Sequence, residues 1–302
     1  MFLEKTTMRK LTLFLSALFL SHFLVAQKHP SNHLFLFDLA QNGENYNLSN
    51  PKWLNQFNPN GYNNQPYFVS EDEVYFSAQF PWDTTQTDIY SLNIATKEFF
   101  PITNTAESEY SPKKMPNGTE FSVVRVDATA EKTQRLWRYP LNRSNKGSEV
   151  FKYYQSVGYY HWCSSEQVMM FMVAKPKNYY QLTKVGNENT TKFSYEAGRC
   201  FAATPNNRVA YIEKTNEDDW FIKTIDPNNL DSDSVIKTLN QSEDFVLLQD
   251  GTYLMGKGSG LYQFRPKKDS DWTQIAELRP YGIKKIERMA VNKSGKIILV
   301  TK

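Results

Sequence analysis

The feature that most constrains this chain is a phrase repeated six times: an aromatic-rich stretch, a tight polar turn, an apolar stretch, a variable loop, and a third stretch of the Leu-Tyr or Ile-Tyr type. The apolar second stretches begin near Val74, Glu120, Val168, Val209, Thr252 and Lys296. That is a period of roughly 40–50 residues, the range of propeller blades, in which each unit buries its apolar face only by stacking on a neighbour. Turn chemistry agrees with strands. Asn117-Gly118 and Asp250-Gly251 separate alternating apolar runs in the manner of hairpins whose two turn residues take φ > 0, and Asn206-Asn207 and Ser294-Gly295 occupy equivalent places. Aromatic residues make up 15% of the chain although its mean hydropathy is −0.59. That combination suits short strands with long polar loops, and neither a helical bundle nor a disordered chain.

The sixth unit is divided between the ends. Residues 288–291 and 297–301, joined by Ser294-Gly295, supply a first and a second strand before the sequence stops. Residues 33–39 read as a third strand and 46–48 as a fourth. The expectation is an all-β, six-bladed β-propeller whose last blade is completed by the first segment, so that ring closure leaves no open sheet edge.

Ahead of the repeat, Met8-Arg9-Lys10 is basic, residues 11–25 are apolar apart from Thr12, Ser16, Ser21 and His22, and Leu24-Val25-Ala26 precedes Gln27. This is the layout of a cleaved secretory signal, shorter than the ~20 residues of a membrane span. The expected organisation is a signal peptide over 1–26 and one propeller domain over 27–302, located in the periplasm or outside the cell, with no transmembrane segment in the mature chain. The formal charge of +3 falls to +1 once the net +2 of Lys5, Arg9 and Lys10 against Glu4 is removed (3 − 2). No basic stripe marks a nucleic-acid binder. Cys163 and Cys200 fall in the first strands of consecutive units, about three positions out of step. At ~3.3 Å per residue that offset strains a disulfide, so two buried free thiols are expected. There is no CxxC and no metal-spaced Cys/His set.

Residues 88–124 resemble the TolB-like, or WD40-like (PD40), propeller repeat. That repeat carries an Asp-Ile-Tyr strand, a Leu-Thr-Asn-Thr segment, then Ser-Pro and a Ser-Pro-Asp-Gly turn. Here these read Asp88-Ile89-Tyr90, Ile102-Thr103-Asn104-Thr105, Ser111-Pro112 and Met115-Pro116-Asn117-Gly118. The resemblance implies the fold across the mature chain and an exported binding or scaffold role, and it implies no catalytic residue. TolB itself carries an additional N-terminal domain, and none is expected within these 302 residues.

Catalytic chemistry has few candidates. The mature sequence has three histidines, His29 and His33 near its start and His161 within Tyr159-Tyr160-His161-Trp162. Gly256-Lys257-Gly258-Ser259-Gly260 places its serine wrongly for a nucleophile elbow, and no helix follows to cradle a phosphate. The acids between Asp226 and Asp233 lack the glycine and terminal glutamate of a calcium loop and read as a polar hairpin. Glu107, Glu109, Glu196 and Glu243 enter or precede first strands, where a propeller places one mouth of its channel, and a ring of carboxylates there attracts cations or basic partners.

Geometry also selects a face. Loops between second and third strands and between blades emerge on one side, and here the longest are 49–64, 80–87, 127–134, 174–178 and 214–219. The first holds Trp53, Phe57 and Tyr62 among asparagines, and Trp82 lies in the second. Rings that stack and amides that pair with hydroxyls suit a glycan or peptide surface, and the same rings also suit pins that hold the loop down. The reading is a non-catalytic binding scaffold for a protein, peptide or glycan, without cofactor or metal. Its candidate contacts are Trp53, Phe57, Tyr62, Trp82, Glu109, His161, Glu196 and Glu243. The alternative is a propeller enzyme, a glycan lyase or hydrolase, acting through the mouth carboxylates and His161.

Overall fold

Short alternating runs bounded by turn residues give strands, and in this computed structural model, which describes residues 29–302, they form six sheets of four strands. The proposed secretory signal lies outside the described residues. The chain enters through β1 (His33–Asn42) and β2 (Asn45–Trp53). Blade by blade it continues with β3 (Tyr62–Phe68), β4 (Glu73–Phe80), β5 (Asp83–Asn93) and β6 (Phe99–Pro101); then β7 (Ser108–Lys114), β8 (Glu120–Val126), β9 (Gln134–Pro140) and β10 (Ser148–Glu149). The third full blade is β11 (Val157–Ser164), β12 (Gln167–Met172), β13 (Tyr179–Lys184) and β14 (Thr190–Lys192). The fourth is β15 (Ala197–Ala203), β16 (Val209–Lys214), β17 (Trp220–Ile225) and β18 (Ser232–Lys237), and the fifth is β19 (Phe245–Leu247), β20 (Tyr253–Lys257), β21 (Gly260–Phe264) and β22 (Thr273–Glu277). β23 (Ile286–Val291) and β24 (Lys296–Thr301) end the chain.

The remaining sheet has the order β2-β1-β24-β23, so the ring is closed across the termini as the split unit predicts. β1 pairs antiparallel with β24 from His33↔Thr301 to Asp38↔Lys296. The seam is apolar on both sides. Ile298 and Val300 pack with Leu34, Leu36, Val74 and Phe76 toward one neighbouring blade, and Ile297 and Leu299 pack with Phe37, Leu254 and Leu261 toward the other. Consecutive residues of one strand are therefore buried on opposite faces, because a second strand is covered by blades on both sides. Each such side chain contributes roughly 1.5–3 kcal/mol of burial.

The turns on one side are minimal. Gly118, Gly251, Gly295 and Asn207 all take left-handed φ between 60° and 78° or, for Gly251, 86°. At the first of these only Gly118 does so; Asn117 does not, which corrects the expectation that both turn residues would. Pro116 presets the preceding φ, and the Asn117 Oδ1 accepts from the amides of Thr119 and Glu120, so a longer turn with a single left-handed residue replaces the two-residue form.

The opposite side carries the blade-to-blade connections, and two of its loops are shorter than the sequence suggests. β2 extends through Trp53, leaving 54–61 as the connection to β3. Phe80 pairs with Asp83, so 80–87 is a protruding hairpin with Pro81-Trp82 at its tip. The 54–61 connection is held from inside by amides. Asn55 is fully buried; its Oδ1 accepts from the Leu34 amide (2.7 Å) and Trp53 Nε1 (2.8 Å), and its Nδ2 donates to the carbonyls of Asn32 (3.1 Å) and Asn58 (3.2 Å). Asn58 and Asn63, also fully buried, extend the network to the carbonyls of Gln79, Gly61 and Asn32. An irregular buried backbone must find partners for its polar groups, and these side chains supply them.

Candidate functional site

The first strands β3, β7, β11, β15, β19 and β23 surround a central channel enclosing about 740 Å³. At the mouth on the loop side, Tyr62 is buried and the His29 ring lies 4.6 Å from it, with Nε2 3.0 Å from the Tyr110 hydroxyl and the His29 amide donating to Gln79 Oε1. His29 is thus docked over this mouth.

Innermost strands β3 and β7 each carry a bulge at a residue that precedes a proline. In β7 one extra residue separates the pairs Tyr110↔Val124 and Lys113↔Ser122, and β3 has the same shift between Asn64 and Tyr67. Gln65 and Ser111, each preceding a proline, sit at these bulges with φ of 55°. Such a conformation costs on the order of 1–3 kcal/mol at a non-glycine residue and persists only where the surroundings fix it. Here the Ser111 amide and the Ser77 hydroxyl both donate to Gln65 Oε1 at 2.9 Å. The extra residue reverses the alternation of β7, so Glu109 faces the preceding blade and Lys113 the following one, 5.5 Å above the Tyr160 ring.

Lys113, His161, Arg199, Asp244 and Arg288 all line the channel. Arg288 reaches Asp244 at 3.5 Å and donates to the Tyr159 hydroxyl at 2.9 Å. Burial, helped by the charge of Lys113, pushes the His161 pKa down to about 3, so its imidazole is neutral throughout the physiological range. Cys163 and Cys200 are free thiols, and Cys200 Sγ lies 3.2 Å from the Phe245 carbonyl. Among the described residues no cluster of His, Cys, Asp or Glu has the arrangement of a metal site. The acids of the 226–233 hairpin are engaged otherwise: Asp231 and Asp233 pair with Arg208.

The carboxylates singled out from the sequence do not meet in the channel. Glu196 pairs with Lys177 at 3.1 Å near the surface. Glu243 sits behind β15, where Lys214 lies 3.0 Å away and the Arg199 amide donates to it. Glu107 holds Arg125 at 2.7 Å. Glu109 is fully buried between two blades beside a second cavity of about 440 Å³ lined by Thr105, Arg125, Tyr139, Arg143 and Lys146. Thr105 Oγ1 donates to Glu109 at 2.6 Å and the Tyr139 hydroxyl at 3.1 Å, while Thr103 Oγ1 lies 3.2 Å from both Glu109 and Asp88. Of the proposed acid/base set, only His161 faces the channel.

Burial pushes the Glu109 pKa up to about 7, with the nearby Asp88 charge adding to it and the hydroxyl donors opposing. The folded protein therefore binds this proton more tightly than the unfolded chain, and stability falls as pH rises from the ordinary glutamate range to about 7. Replacement Glu109→Gln, which keeps the shape and cannot ionise, is expected to flatten this limb and to stabilise the protein at pH 8 relative to wild type by about 1–3 kcal/mol. Urea unfolding at pH 5 and pH 8 measures both; parallel profiles for the two proteins would show that Glu109 carries no excess proton.

The aromatic candidates divide into pins and a free side chain. Trp53 is held by its indole hydrogen bond to Asn55 and meets the His33 ring edge-on at 5.2 Å. Phe57 stacks on Phe99 with ring centres 3.8 Å apart, and Tyr62 is buried under His29. Trp82 is 76% exposed at its hairpin tip, resting on Phe80 at 4.5 Å. Val173 and Tyr195 are exposed on the same side. Sequence reasoning passed over Lys113, Arg199, Asp244 and Arg288. Their signal was position alone, since each lies in or beside an innermost strand.

No family model matches the chain, and no curated protein matches it. Solved structures do. A putative TolB from Agrobacterium tumefaciens aligns with a TM-score of 0.64 at 7% identity over 90% of this chain and 98% of its own. An oligogalacturonate lyase in complex with manganese gives 0.54 at 13% identity over 91% and 98%. A puromycin-hydrolyzing peptidase of Mycobacterium tuberculosis gives 0.57 at 11% identity over 80% of this chain, which spans only 44% of the peptidase. At these identities the likeness is one of fold: a six-bladed propeller with TolB among its neighbours.

Proposed function

We propose that this chain is an exported, non-catalytic propeller of the TolB-like PD40 kind that binds a protein, peptide or glycan on its loop side. The observation that carries the reading is Trp82, a large ring held out at a hairpin tip with most of its surface in water, on the side that also exposes Val173 and Tyr195. Large rings of this sort supply the anchors of interfaces. Export is supported by the pattern of residues 1–26 and by the TolB neighbour. The second reading, a glycan lyase or hydrolase, requires an acid and a base at one substrate bond. Glu109, Glu196, Glu243 and His161 lie in separate surroundings, so that reading loses its proposed machinery.

The test uses Trp53→Ala and Trp82→Ala, with stability measured by urea unfolding and partner recovery measured by affinity capture from the cells that make the protein. Trp53→Ala is expected to cost about 1–2 kcal/mol of stability through the lost hydrogen bond to Asn55, whose Oδ1 keeps the Leu34 amide, and the lost contact with the His33 ring. Trp82→Ala is expected to change stability by less than about 0.5 kcal/mol, as exposed positions do. It should nevertheless weaken partner binding by about 2 kcal/mol or more. Undiminished capture by Trp82→Ala would remove the assignment.

A further inference from the structure

The first described residues are held at two points with an exposed step between them. Asn32 is fully buried: its amide donates to the Gly61 carbonyl, its Nδ2 donates to Glu287 Oε2 at 2.6 Å, and its carbonyl accepts from Asn55 and Asn63. Pro30 and Ser31 are exposed. His29 is then held again, by its amide on Gln79 Oε1 (3.3 Å), by Nε2 at 3.0 Å from the Tyr110 hydroxyl, and by ring contacts with Tyr62 and Tyr110. It covers the loop-side end of the channel. The cavity is lined from Gln65, Ser111, Tyr159, Arg199, Asp244 and Arg288 onward along the first strands, toward the turn side, and Tyr62 and Tyr110 lie outside it.

Gln79 carries the contact beyond the mouth. While its Oε1 takes the His29 amide, its Nε2 donates to the Thr84 carbonyl at 3.2 Å, within the hairpin that holds Trp82 at its tip. Gln79 is buried, and the His29 amide is the donor its Oε1 has among the described residues. Losing that donor leaves a buried acceptor unpaired, which favours movement of the amide and of the hairpin it braces.

We propose that residues 29–31 form a strap that closes the loop-side mouth while His29 is neutral and leaves it when His29 gains a proton, freeing Gln79 and with it the Trp82 hairpin. This rests on the loop-side reading of function and adds to it a control by acid. An imidazolium finds no counter-charge in this place. β3 and β7 present the hydroxyls of Tyr62 and Tyr110, and β4 presents the amide of Gln79. The groups acting on Tyr62 from behind are Tyr159, Arg199 and Arg288, the last paired with Asp244. Glu287, which holds Asn32, is shared with Lys285 and Lys302. Burial lowers the His29 pKa from the ordinary 6.5. The neutral ring is therefore the docked one: docking is complete above pH 6.5 and is lost as pH falls through the lowered value. Asn32 stays anchored, so the strap opens as a local event without unfolding the ring of blades.

Nuclear magnetic resonance between pH 8 and pH 4.5 tests this. His161 is neutral throughout that range, and His29→Phe identifies the His29 ring signals. At pH 8 these signals are expected to carry the ring-current shifts of Tyr62 and Tyr110, and to lose them in the same step in which the ring titrates, below pH 6.5. The Trp82 indole N–H signal, identified by Trp82→Phe, should move in that step. In His29→Phe, whose ring packs without ionising, it should keep its pH 8 position throughout. In Gln79→Leu it should no longer follow the release of His29. The inference is overturned if His29 titrates at or above pH 6.5, if its ring-current shifts survive its titration, or if the Trp82 signal is indifferent to the step or follows pH equally in His29→Phe or Gln79→Leu. None of these readouts needs a partner. Undiminished partner capture by Trp82→Ala therefore removes the loop-side assignment, whereas a His29 that stays docked when protonated removes the strap.

Discussion

Removal of β1, residues 33–42, is expected to abolish cooperative folding. The strand buries Leu34, Leu36, Phe37 and Leu39 and pairs along its length with β24. At roughly 1.5–3 kcal/mol per buried side chain, the lost burial amounts to about 6–12 kcal/mol, which is comparable with the entire stability of a typical domain. The deletion also leaves β24 and β2 with unpaired edges, a template for association. Thermal unfolding and size-exclusion chromatography measure both effects. A truncated chain that stayed monomeric with the wild-type midpoint would contradict the closed ring.

Asn55→Ala is the single substitution expected to cost most, about 3–5 kcal/mol. It leaves the Leu34 amide and the Trp53 indole without an acceptor and removes one donor from the Asn32 and Asn58 carbonyls, which keep Asn63 Nδ2, all around a fully buried position. Each unsatisfied buried group costs about 1–3 kcal/mol, with partial relief by water in the space vacated. Asn55→Asp, which keeps the acceptor and loses the donor, should fall between the two. Urea unfolding gives the difference. A loss below about 1 kcal/mol for Asn55→Ala would mean that the 54–61 connection is held by its rings and not by this amide.

The architecture was legible because a repeat is a long-range signal: six similar units, one split between the ends, admit few closed arrangements. The blade turns were legible too, since Gly118, Gly251 and Gly295 stand where φ is positive. What resisted reading was the direction of individual side chains. The asparagines of 49–64 look like a ligand surface in sequence, but Asn55, Asn58 and Asn63 point inward to serve the backbone. A single bulge in β7 turns Lys113 away from the side that Glu109 occupies, and no periodicity reveals where an extra residue enters a strand. Glu196 and Glu243 start first strands as expected, yet Lys177, Lys214 and Arg199, from neighbouring strands and connections, claim them. Such partners come together only in the fold.

The assignment of function to the loop side is tested most directly by site-specific photo-crosslinking in the cells that make the protein. A photoreactive amino acid placed at Trp82, on the exposed hairpin tip, is compared with the same group at Asn117, in an exposed turn on the opposite side. The expected result is a discrete crosslinked species from position 82 and none from position 117. Equal crosslinking at both positions, or a discrete product from 117 alone, would contradict it.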